Sequence, residues 1–213
     1  MSLVNDTMRA SEPQYGETLK AAEPRGEILV RDPKVLEVAN NRIYFYSEID
    51  RASILTLNKN LRDMHSDHIS FAQRAGIDTP IPIRLHINSY GGSAFAGLAG
   101  MDEILSVSKE VPIYTIVDGC CASAATFLSV VGTKRFINKH AFMLIHQLSG
   151  IAWGKYEELK DEMISIEKIM KMIKDLYAER TNLPEKKIDE ILKHDIWFTA
   201  EECLQYGLVD EII

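Results

Sequence analysis

An α/β fold is predicted by three stretches of the chain. Residues 83–89 alternate Ile83, Leu85 and Ile87 with Arg84, His86 and Asn88, the period of a half-buried strand. That strand stops at Ser89, Tyr90, Gly91 and Gly92, and AFAGLAGMDEILSVS follows as a helix. VPIYTIV and SAATFLSVV then repeat the same unit of strand, small-residue turn and helix. Repeated units of this kind imply right-handed crossovers, with helices packed over a sheet.

The remaining elements follow in chain order. Residues 1–27 are polar, with Pro13, Gly16, Pro24 and Gly26 and no sustained periodicity; they are expected to be a flexible arm, leaving 28–213 for one folded domain. From Asn41 the pattern changes, so that RIYFYSEI reads as the first strand and RASILTLNKNLRDM as the first helix. Ile54, Leu55, Leu57 and Leu61 are placed on one side of that helix. Residues 65–80 are polar and end in Asp78, Thr79 and Pro80, which predicts a surface excursion resembling an insertion. His65 and His68 lie in it at a spacing that suits a metal on one helical face, but no carboxylate or cysteine set accompanies them, and solvated side chains are expected. AFMLI is an apolar strand that ends at His146. Beyond it, a handle of about 150–182 carries Leu159, Met163, Ile166, Met170, Ile173 and Tyr177 at alternating spacings of four and three. Such a seam needs cover, from its own domain or from a second copy. LPEKKIDEILKH is a short helix before WFTAEE, and Trp153 and Trp197 are expected to be packing residues.

Composition narrows the function classes. A chain of 213 residues with 46% hydrophobic and 26% charged content supports a core without disulfide staples. Cys120, Cys121 and Cys203 match neither a zinc spacing nor an even secreted pattern, so they read as small core residues in a reducing compartment. A formal net charge of -7 with no basic stripe argues against nucleic acid and anionic membranes as partners. The most apolar stretch, 111–132, is interrupted by Asp118, Gly119 and hydroxyls, and so reads as buried strand and helix. With no basic run followed by an apolar segment at the start, a cytoplasmic location is expected.

The chemistry lies in four places. Glycines at Gly91 and Gly92 free the backbone to offer N–H groups to a developing oxyanion, Gly92 being the first candidate; a tight strand-to-helix turn is the plainer alternative. A phosphate-binding loop is disfavoured, because neither GxGxxG nor GxxxxGK[ST] is present. Ser123 stands among small neighbours at a strand end and a helix start, as a nucleophile needs, and the N–H of Ala124 offers a second donor; alternatively Ser123 only caps a helix. His146 emerges from the core at a strand end as a candidate base. Asp195, Asp210 and Asp118 compete to orient it, and spacing does not choose among them.

Taken together, INSYGG, Ser123, MLIHQ and FTAEECLQYGLVDEI in this order resemble ClpP, the proteolytic subunits of the ATP-dependent Clp proteases, over the chain from about Asn41 to the C-terminus. The resemblance implies a ClpP/crotonase-like spiral of strand and helix units with a projecting handle. It implies Ser123 as nucleophile, His146 as base and Asp195 as orienting acid, with Asp210 in the tail motif. It further implies Gly92 and Ala124 at the oxyanion and Gly91, Gly92 and Leu148 against substrate, with no metal or organic cofactor. The family's handle interlocks two seven-membered rings, and Gly150 to Gly154 resembles the strand that begins it. Partners implied are further copies, other Clp subunits, an AAA+ unfoldase and unfolded protein or peptide substrates; an organellar or phage-encoded member would act in the plastid stroma or an infected cell. Departures are Ala124 for the family's methionine, Leu148 for its proline, Asp118 and Cys121 for smaller or apolar residues, and no recognisable pore-loop segment in 1–40. Two other classes are a non-catalytic ring subunit and an acyl-CoA enzyme of crotonase type.

Overall fold

The computed structural model describes residues 35–150 and 153–213. The arm expected over 1–27 lies outside them, as do Ile151 and Ala152 of the expected handle strand. The architecture is mixed α/β, with one seven-stranded sheet among the described residues. Strands β1 (Val35–Ala39) and β2 (Arg42–Tyr46) form an antiparallel hairpin whose turn places Asn40 at φ 57°. Helix α1 (Arg51–Ala75) leads to β3 (Ile83–Ser89), α2 (Ala94–Val107) to β4 (Ile113–Ala122), and α3 (Ala125–Val130) to β5 (Lys134–Ile137). After β6 (Phe142–Leu144) come the long helix α4 (Tyr156–Arg180), the short helices α5 (Glu185–Ile191) and α6 (Ala200–Gln205), and β7 (Glu211–Ile212). The sheet order is β1-β2-β3-β4-β5-β7, with β6 against the end of β4, and every pairing except the hairpin is parallel.

Alternation in β3 behaves as the sequence predicts: Ile83, Leu85 and Ile87 are wholly buried. Helix α1 does not. Residues 65–75 continue it rather than forming an excursion, because Met64 and Ala72 are buried, Ile69 packs against the core, and no glycine or proline intervenes before Gly76. Gly76 ends it at φ 67°, its N–H donating to Ala72 O, while Asp50 and Ser53 cap the start reciprocally. Leu55 is exposed, so the buried side is Ile54, Leu57, Leu61 and Met64. The sequence reading also missed β1 and β5. Trp153 is 98% exposed, and Trp197 is also exposed, edge-on to Tyr90, so neither packs in the core.

Strand β4 carries the main irregularity. Tyr114–Val117 pair with Lys134–Ile137 of β5, but Cys120–Ala122 pair with Phe142–Leu144 of β6. On the other edge, Ile87 pairs with Val117 yet Ser89 pairs with Cys121, so Asn88 alone faces 118–120 and its Oδ1 accepts the Cys120 N–H at 3.3 Å. Asp118 fills this break. Its carboxylate accepts the Tyr46 hydroxyl at 2.5 Å, His86 Nδ1 at 2.9 Å and Asn138 Nδ2 at 2.9 Å, tying the end of β2, the middle of β3 and the end of β5 to one point. Burial pushes this carboxyl up, but the bonds from His86, Tyr46 and Asn138 outweigh it and hold Asp118 below the usual range.

Helices α1, α3 and α6 pack against strands of this sheet, and α4 divides in character. Ile173 and Tyr177 near its C-terminus are buried, Ile166, Ile169 and Met170 are half-buried, and every residue from 153 to 165 is exposed. No helix among the described residues is long and apolar enough to cross a membrane.

A group with a lowered folded pKa contributes stability that is complete above its unfolded value, near pH 4, and is lost as pH falls through its folded value. Asp118→Asn is therefore expected to reduce unfolding free energy at neutral pH by about 2 kcal/mol and to flatten the loss below about pH 4. Urea denaturation at a series of pH values checks this; parallel acid limbs in variant and wild type would contradict it.

Candidate active site

The change of partner in β4 sets the position of Ser123. Beyond Ala122 the chain turns sharply, Ser123 taking φ 54°, a left-handed conformation that costs a residue with a Cβ about 1 kcal/mol or more. Its N–H donates to Leu144 O of β6 at 2.8 Å, and its carbonyl accepts from Thr126 N–H at 3.0 Å. Ala124 then leads into α3, a helix of only six residues. A strained serine between a strand and a helix presents its hydroxyl outward instead of along the strand face.

Glycines underlie this turn for steric reasons. Gly91 has φ 97°, and a Cβ there would sit 2.6 Å from Ala122 O and 2.7 Å from the Ser123 Cβ. Gly92 has φ 142°, with the Ile49 carbonyl in the space a Cβ would need. Ile49 bonds to both neighbours of Gly92, donating to Gly91 O at 2.7 Å and accepting from Ser93 N at 2.8 Å. In a parallel bridge of this kind, the N–H of Gly92 itself points away from Ile49.

His146 follows β6 by two residues and is about four-fifths buried, with Nδ1 3.0 Å from Asp195 Oδ1. A carboxylate only accepts, so a hydrogen bond between the two requires the proton on Nδ1, which in a neutral ring leaves the lone pair on Nε2. The segment bearing Asp195 is fixed on both sides. Gln147 N–H donates to Leu192 O at 2.8 Å, and Phe198 and Met143 exchange backbone bonds at 2.7 and 3.1 Å. The Asp195 side chain is nonetheless 77% exposed.

The rival carboxylates are committed elsewhere. Asp210 is held by Arg135 through Nη2 at 2.5 Å and Nε at 3.1 Å, and Asp118 by the cluster at the β4 break. His65 lies 3.5 Å from Glu110, and His68 Nδ1 is 2.6 Å from Ile81 O. Cys121 and Cys203 are buried, and none of the three cysteines forms a disulfide.

A cleft of about 300 Å³ collects the residues singled out in the sequence: Gly92, Ser123, Ala124, His146 and Leu148 line it together. Gly91 lies against the Ser123 turn, and Asp195 stands beside His146; neither lines the cleft. Leu148 is anchored by its N–H, 3.2 Å from Met170 Sδ on α4, a donor that a proline there would lack. Sequence reasoning missed the cleft walls. Phe95, Phe127, Ile166 and Ile169 form apolar walls, and Glu162 adds a carboxylate from α4. Only the 70% exposure of Phe95 beside its N-capping Ser93 marks it as other than core, and exposure is invisible in sequence.

The family described as Clp protease matches this chain over residues 38–213.

Substituting Gly91 tests the packing beneath Ser123. Gly91→Ala is expected to cost about 2 kcal/mol or more of stability, since the clash is with backbone that cannot rotate away. Thermal unfolding measures it, and an unchanged midpoint would show that the turn relaxes freely.

Proposed function

The chain belongs to the Clp protease family, and from that premise we propose that it is a serine endopeptidase cutting unfolded proteins or short peptides inside an oligomeric chamber. The observation that carries this reading is one cleft lined by both Ser123 and His146, with His146 Nδ1 held 3.0 Å from Asp195. In the proposed reaction, Ser123 Oγ attacks a peptide carbonyl while His146 Nε2 takes its proton. The N–H groups of Gly92 and Ala124 receive the oxyanion. His146 then gives the proton to the departing amine, leaving an ester on Ser123. Water, deprotonated by the same imidazole, attacks that ester and releases the new carboxyl end and the serine. Asp195 keeps Nδ1 protonated throughout, so Nε2 does both transfers.

Apolar walls at Phe95, Phe127, Ile166 and Ile169 support the binding of an apolar side chain beside the cut bond. The exposed half of α4 supports assembly: Tyr156, Leu159, Met163 and Ile164 leave apolar surface uncovered there. A second copy burying this surface, in rings of the kind the family forms, gives the chamber. A separate AAA+ unfoldase would supply energy, the sequence having no nucleotide-binding motif. One observation favours a second reading, a weakly active subunit working by co-assembly: at 77% exposure Asp195 competes with water for its histidine.

Hydrolysis of a short fluorogenic peptide is expected to fall on the order of 10⁴-fold or more in Ser123→Ala and on the order of 10³-fold in Asp195→Asn. Activity persisting in Ser123→Ala would sink the proposed chemistry. A wild type that is inert alone but active when mixed with other Clp subunits would favour the second reading. Native mass checks assembly: Met163→Glu is expected to convert a ring-sized particle to smaller species, and an unaltered mass would rule out the α4 face as the contact.

A further inference from the structure

We propose that Thr126 and Tyr177 are positioning residues for Ser123, forming a directed chain of hydrogen bonds from the base of α4 to the nucleophile turn; this rests on reading Ser123 as the nucleophile. A left-handed serine persists only where its surroundings enforce the conformation. Before Ser123, enforcement comes from β6, through the N–H bond to Leu144 O. After it, the Ser123 carbonyl accepts twice from one residue: Thr126 N–H at 3.0 Å and Thr126 Oγ1 at 2.6 Å.

The direction of the chain follows from proton counting. A carbonyl cannot donate, so the single proton of the Thr126 hydroxyl lies toward Ser123 O. Tyr177 Oη is 2.7 Å from Thr126 Oγ1, so the phenol must be the donor there. Thr126 is wholly buried and Tyr177 is 1% exposed, leaving no room for water to replace either bond. Burial also pushes the phenol well above its ordinary value, which keeps the donor proton in place. The base of α4 is itself held to the domain, since Arg135 Nη1 donates to Arg180 O at 2.5 Å and to Gly207 O at 2.8 Å. Movement of α4 that displaces Tyr177 thus acts on the carbonyl of Ser123 through two bonds, while the cleft walls contributed by α4 shift with it.

The full chain carrying Tyr177→Phe, Thr126→Val or Thr126→Ser separates this role from simple packing. Phenylalanine keeps the ring and removes only the donor; valine keeps the shape of threonine and removes the hydroxyl; serine keeps the hydroxyl. Tyr177→Phe and Thr126→Val are each expected to lower kcat on a fluorogenic peptide, and the rate of Ser123 labelling by a fluorophosphonate, about tenfold with KM within about twofold. Thr126→Ser is expected to recover most of what Thr126→Val loses. Unchanged kcat and labelling in a folded Tyr177→Phe overturn the proposal. So does a loss in Thr126→Ser equal to that in Thr126→Val, because the methyl rather than the hydroxyl would then matter. If the wild type shows no Ser123-dependent hydrolysis or labelling, the peptidase reading fails, and amide exchange over 121–126 decides the positioning role alone. Exchange at the Ser123 N–H about tenfold faster in Tyr177→Phe is expected, and unaltered exchange overturns the chain.

Discussion

A strand inside a sheet has two edges of backbone donors and acceptors to satisfy, and β4 satisfies one of them with two different partners. It leaves β5 after Val117 and joins β6 at Cys120, and the residues between are pinned by the Asp118 carboxylate to β2, β3 and the end of β5. This pin sets the register in which Ala122 lies beside Leu144. From that register Ser123 meets the carbonyl of Leu144, and the chain beyond Leu144 reaches the same cleft as His146. A slip of one residue would reverse the face of each side chain along the pairing and separate the two.

Around that junction the other parts are attached by backbone rather than by long side chains. Gly91 and Gly92 allow main chain to lie directly beneath Ser123 and against Ile49, where any Cβ would collide with backbone. Asp195 arrives on a turn tied to β6 by Met143 with Phe198 and to the segment after β6 by Gln147 with Leu192. Backbone ties fix position without the rotamer freedom of paired surface side chains, so an exposed carboxylate can still be found beside its histidine.

Helix α4 belongs to two environments at once. Its C-terminal half is core, through Ile173 and Tyr177, and its middle walls the cleft. Its N-terminal half carries exposed apolar side chains. The heptad-like spacing that identifies the helix is continuous from Leu159 to Tyr177, yet burial among the described residues stops near Ile166. Periodicity records which side of a helix is apolar; it does not record what covers it.

Local pattern was sufficient wherever one side chain type or one period decides the outcome. The alternation of β3, the small residues around Ser123 and the histidine at the end of an apolar strand were all readable because each is a property of neighbours in the chain. The hairpin strand β1 and the second half of α1 were not: VLEVA is a short apolar run without period-two alternation, residues 65–75 are mostly polar, and both are held by packing on a sheet and core formed by distant residues. The sequence by itself determined the fold class and the inventory of serine, histidine, glycines and three candidate aspartates. Tertiary structure alone places Asp195, of the three, against His146, because Arg135 takes Asp210, while Tyr46, His86 and Asn138 take Asp118, and these donors are brought together from other strands.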